Sequence, residues 1–158
     1  MVGGTYYVTS GGEWSWPVAI VGIIYALGPT SVLFGKHTDK LREDKVKRVF
    51  TLPVILGEQN SRWFTIALWV SQYVLVGWLI LSGTLGYALL VVVFAVPKFV
   101  WAARIFSKPR PESEPETLDK GVWPLYLSAH AFIYNKRFGL LFLLGLIIDL
   151  VMVKSGII

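Results

Sequence analysis

The chain alternates long uncharged stretches with short charged ones. No charged residue occurs in residues 14–35, and about 20 residues at ~1.5 Å each cross a ~30 Å hydrocarbon core. This predicts a first membrane span, with Trp14 and Trp16 in the interfacial belt and a kink at Gly28-Pro29. Residues 63–97 are also free of charge. That is too long for one crossing, and Ser82-Gly83-Thr84-Leu85-Gly86 breaks it, so two antiparallel helices are expected over residues 63–81 and 85–106. A last span is expected over residues 138–158, with Asp149 facing the bundle or its outer boundary, because an ionised carboxylate against lipid costs a few kcal/mol.

The remaining stretches are polar or short. Residues 107–121, SKPRPESEPETLDKG, have almost nothing apolar to bury and predict an exposed, mobile loop. Residues 122–135, VWPLYLSAHAFIYN, are aromatic and too short to span comfortably, so a short helix at the membrane interface is expected there, with His130 as a packed, hydrogen-bonded residue. The first residues, MVGGTYYVTSGGEW, read as an interhelical loop and lack the pattern of a signal peptide.

Composition turns this pattern into a class. Of 158 residues 54% are hydrophobic and only 16% charged, with a mean hydropathy of +0.59, which makes residues 1–158 one multi-pass, all-α membrane domain with about four transmembrane helices and one short interfacial helix. The absence of cysteine excludes disulfide and thiolate chemistry. A net charge of +5 does not point to nucleic acid, because the bases border apolar spans. Residues 36–62 hold seven bases and residues 104–137 six, leaving Lys98 and Lys154 elsewhere. By the positive-inside rule both charged regions are cytoplasmic, in contact with anionic headgroups, and both termini lie outside. No GxxxxGK[ST], HExxH, GxSxG or CxxC occurs, so nucleotide hydrolysis, zinc proteolysis, serine hydrolysis and thiol redox lack support.

The candidate chemistry lies in GKHTDKLREDKVKRVFTLPVILGE, residues 35–58. It holds the acids Asp39, Glu43 and Asp44, His37, and the bases Lys36, Lys40, Arg42, Lys45, Lys47 and Arg48. Carboxylates beside Lys and Arg at a membrane edge can hold a hard cation such as Mg2+ while the bases neutralise a phosphate. Asp44, the bases after it, then Thr51-Leu52-Pro53-Val54 and Gly57-Glu58 resemble the second aspartate-rich motif of the UbiA superfamily of intramembrane prenyltransferases.

The resemblance implies the C-terminal half of the UbiA fold, with the motif at the cytoplasmic end of the sixth transmembrane helix. It also implies Mg2+-dependent transfer of a prenyl group from a prenyl diphosphate to an aromatic or other lipophilic acceptor in the membrane. Asp39, Asp44 and Glu43 are then the metal candidates, and Lys36, Lys40, Lys45, His37 and Lys98 the diphosphate candidates. The chain departs from the family pattern Asp-x-x-x-Asp: counting back from Thr51, Asp44 falls on the second aspartate but Lys40 on the first. Asp39 is one residue early, so on a regular helix it points away from Asp44. Either the backbone re-aims Asp39, or Glu43 supplies the second ligand, or Lys40 binds the diphosphate directly. No stretch matches the family's first Asn/Asp-rich motif, so an N-terminal half carrying it is an expected partner. The alternative is a small, non-catalytic membrane protein that keeps the fold.

Overall fold

The computed structural model describes residues 1–116 and 118–156, and among these every regular element is helical. In chain order they are α1 (Val2–Thr9), α2 (Trp16–Asp39), α3 (Leu41–Val46), α4 (Leu52–Leu56), α5 (Glu58–Leu81), a 3-10 segment (Tyr87–Ala95) running into α6 (Val96–Phe106), and α7 (Tyr126–Lys154). Among the described residues three pieces are long and apolar enough to cross a membrane: α2, α5 and residues Tyr87–Phe106. The chain is an all-α membrane protein, with the turn at residues 82–86 where the sequence predicts it.

Each boundary has a local cause. Ser15 caps α2 by accepting from the Val18 N–H, and Pro17 sits in the first turn, where its missing N–H costs no helical bond. Residues 85–106, expected as one α-helix, begin instead as 3-10. Pro97 cannot donate to the Val93 carbonyl, and the Val96 N–H satisfies that oxygen in the tighter geometry.

Two expectations are corrected. Residues 2–9, read as loop, form α1 packed on α2. The interfacial helix over residues 122–135 and the span starting at residue 138 are one continuous α7. The polar run Asn135-Lys136-Arg137 marks a change of environment and not of backbone, since its residues are tolerated in a helix and Lys136 and Arg137 face outward. Residues 157 and 158 of that expected span lie outside the described residues. Asp149 is buried on α7, as expected, beside a hollow lined also by Thr84 and Tyr87.

The bundle is built around α2, which packs on both α5 and α7. Its inner face, Ile24, Gly28, Ser31, Gly35 and Thr38, is wholly buried and mostly small. A Cβ at Gly28 would collide with the Asn135 side chain, and one at Gly35 would lie 2.9 Å from the Ser128 backbone nitrogen. α7 therefore runs antiparallel to α2 at close range, the geometry that small residues permit in membranes. Trp69 fills the interior between Phe106 (4.9 Å between ring centroids) and Tyr134 (4.8 Å).

One polar chain crosses this apolar interior. Tyr134 donates to Gln72 Oε1 (3.0 Å), and Gln72 Nε2 donates to the Ile24 carbonyl (3.0 Å). All three groups are buried, where an unpaired polar atom is expensive. Replacing Gln72 with Leu is expected to cost about 1–3 kcal/mol by orphaning the Tyr134 hydroxyl. Adding Tyr134→Phe should recover part of that loss, measured as a double-mutant cycle of thermal unfolding in detergent.

Candidate functional site

The charged stretch folds as the last turn of α2, the short α3, an extended link in which Arg48 takes the left-handed φ of 56°, and α4. Lys36 and His37 sit in the last turn of α2, where cations favour the helix dipole, and Glu43 and Asp44 sit in the first turn of α3, where acids do. Thr51-Leu52-Pro53-Val54 starts α4, with Pro53 in its first turn, and Gly57 at φ 80° turns the chain into α5.

Helical register decides what each residue of α2 can do. Successive residues turn by ~100°, so Ala26, Pro29, Leu33, Lys36 and Lys40 share the face opposite Gly28 and Gly35, and all but the half-buried Lys40 are exposed. Asp39, one position before Lys40, falls toward the packed side. Its side chain is fully buried. Oδ1 accepts from Leu127 N–H (3.0 Å) and Arg110 Nε (3.1 Å), and Oδ2 accepts from Ser128 N–H (2.9 Å).

Asp39 is thus the cap of α7, reached from another helix. It satisfies two of the orphan donors at the α7 N-terminus, and its charge suits that end of the dipole. The expectation that Asp39 is a metal ligand alongside Asp44 does not match this geometry, because both of its oxygens are engaged by other donors. Asp44 instead lies 3.3 Å from His37 Nδ1 and is mostly buried.

Sequence reasoning missed the partner that completes the cap. Arg110, placed in the expected mobile loop, bonds Asp39, donates from Nη2 to the Pro124 carbonyl (2.8 Å), and stacks 4.3 Å over the Trp123 ring. Its backbone N–H donates to Glu58 Oε1 (3.0 Å). Glu58 is also 3.2 Å from Arg62 Nε, and the buried Arg62 donates from Nη1 to the Phe106 carbonyl (2.9 Å) at the end of α6. One continuous relay therefore ties α2, α5, α6, the loop and α7 together. Its only sequence signal is a lone arginine between two prolines in an otherwise acidic stretch.

A hollow of about 290 Å3 opens beside this relay. Asp39, Arg42, Glu43, Glu58, Arg110 and Glu112 line it, whereas Asp44, Lys36, Lys40 and Lys45 do not. The predicted constellation is therefore split between two sides of the bundle end. Glu43, Lys36 and Lys45 are exposed and Lys40 is half-buried. Lys98, a diphosphate candidate or else a snorkelling cation by its position in the span, has its ammonium 4.7 Å over the Trp101 ring of α6. His130 packs against Trp101 and Tyr126 and donates to the Tyr126 carbonyl (2.6 Å), as expected of a structural histidine.

Mg2+ asks for near-octahedral oxygen coordination. Among the described residues no three groups of the kind that hold a metal converge, and Asp39 is committed to its donors. The described residues of this chain alone do not bring together the ligands of a Mg2+ site.

No curated protein and no solved structure gives a significant match to the chain. The model of the UbiA prenyltransferase family matches residues 1–135, covering the charged stretch, the relay and the start of α7. The chain belongs to the UbiA prenyltransferase family, a membrane protein of prenyltransferase type.

Proposed function

We propose that the open face of α2 binds the headgroup of a prenyl diphosphate, and that the chain serves prenyl transfer to a lipophilic acceptor as one part of a composite site. The observation that carries this is the register of α2: Leu33, Lys36, His37 and Lys40 share one face, continuous with the exposed apolar positions below it and flanked by Asp44. A prenyl tail would lie along the apolar part and the diphosphate would meet the bases.

In this reading Lys36, Lys40 and Lys45 neutralise the diphosphate as its bond to the allylic carbon breaks and the acceptor bonds to that carbon. His37 is held by Asp44 and orients a proton toward the headgroup. The exposed strip of α2 would be covered by an N-terminal half, whose Asn/Asp-rich motif would supply the carboxylates this chain lacks for Mg2+. Glu43 and Asp44 are what the present residues would add to them. By the positive-inside rule the bases support a position of this end at the cytoplasmic surface of the cell membrane.

Farnesyl diphosphate binding to the purified chain, measured by calorimetry in detergent, tests the reading. The triple variant Lys36→Gln, Lys40→Gln, Lys45→Gln is expected to weaken binding at least tenfold, since each charge-assisted contact contributes about 1.5–3 kcal/mol. Unchanged affinity would remove the site assignment. Absence of binding by the wild-type chain, with or without an N-terminal half, would favour the second reading, a non-catalytic protein that retains the fold. The use of Asp39 as a helix cap is the observation on that side.

A further inference from the structure

Lys98 and Arg104 on α6 and Lys108 at the start of the next loop are exposed. Among the described residues none of the three enters an ion pair. The Lys98 ammonium stands over the Trp101 ring, and Arg104 and Lys108 border a second hollow, of about 380 Å3, lined also by Pro97, Trp101 and Tyr126. No acid lines it, in contrast to the hollow beside the relay, which Asp39, Glu43, Glu58 and Glu112 line. The two hollows meet at Pro111 and carry opposite chemistry.

The walls combine the groups that sit at a membrane interface. Trp101 is packed between the Lys98 ammonium, 4.7 Å from its centroid, and the His130 ring, 5.0 Å away, and His130 is itself held by the Tyr126 carbonyl. Deeper on the same side Val93, Phe94, Pro97 and Val100 are exposed, a strip fit for acyl chains. Lys98 lies about 9 Å below Arg104 along the axis, within reach of the interface by snorkelling.

We propose that this hollow is a binding site for one anionic phospholipid, its phosphodiester held by Arg104 and Lys108, with Lys98 reaching up from below and the acyl chains on the α6 strip. Two unpaired cations lining one cavity, with a third on the face of its Trp101 wall, match an anion. Their continuity with membrane-depth apolar surface selects a lipid over a soluble phosphate.

The test is native mass spectrometry of the purified chain titrated with phosphatidylglycerol and with phosphatidylcholine of the same acyl chains. The wild-type chain is expected to retain phosphatidylglycerol preferentially. Changing Lys98, Arg104 and Lys108 to Gln should reduce that preference by about fivefold per cation. The charge-conserving pair Lys98→Arg, Lys108→Arg should keep it, as should the equal-charge control Lys47→Gln, Lys120→Gln, Lys154→Gln. Equal retention of both lipids by the wild type, or an equal loss in the control, would overturn the proposal. Displacement of the bound lipid by inorganic phosphate or farnesyl diphosphate would overturn it too, assigning the hollow to a soluble anion or to substrate.

Discussion

Asp39→Ala is expected to destabilise the folded bundle by about 3–5 kcal/mol, the cost of leaving a buried charge without its partner. The loss falls on three donors at once: Arg110 Nε and the Leu127 and Ser128 N–H groups. Asp39→Asn keeps an acceptor for one amide but removes the charge that faces Arg110, so its cost should be intermediate. Asp44→Ala is the matched control, because its one partner, His37, is 40% exposed in its side chain, and a pair so open to water contributes at most about 1 kcal/mol. Thermal unfolding of the three variants in one detergent, followed by helical circular dichroism, gives the comparison. Equal melting shifts for Asp39→Ala and Asp44→Ala would mean that the cap carries no special share of stability.

Gly35→Ala is expected to cost about 2–3 kcal/mol, at the upper end of overpacking penalties. The added methyl would sit 2.9 Å from Ser128 N and 3.0 Å from its Cα, and these are backbone atoms that cannot swing aside. α7 would have to move away from α2 at the turn that presents Ser128 to Asp39, so the steric strain and the loss of the cap arrive together. Gly77→Ala on α5 is the contrast. Nothing lies within 4 Å of its Cβ, and removing a helical glycine should stabilise by about 0.5–1 kcal/mol. If both substitutions shift the melting temperature alike, the close approach of α2 and α7 is not what limits the packing.

The sequence made the apolar helices legible because hydrophobic length is a direct requirement of a lipid interior. The charge-free residues 14–35 and 63–81 became α2 and α5, each extended by polar residues at its charged end. Residues 122–138 were misread because polarity was taken for a chain break. Asn135 in fact faces Gly28, and a polar residue in mid-helix is as often a contact as an end. The site was half legible. One residue of offset between Asp39 and Lys40 warned against pairing the two acids, and each has its own partners: Arg110, Leu127 and Ser128 for Asp39, His37 for Asp44. What no local pattern could reveal was the destination of Asp39, because its donors lie on Arg110, Leu127 and Ser128, far along the chain, and only tertiary packing brings them in.

The grip of Arg110 has a consequence for how this end of the molecule tolerates change. The guanidinium is anchored on one side of the acidic stretch by its own backbone, held to Glu58, and on the other by Trp123 and Pro124. The two edges of the connection are thereby stapled together at a single side chain. Whatever is spliced between them, a reporter, an epitope or a longer natural insertion, can grow outward into water while the helices below stay in register.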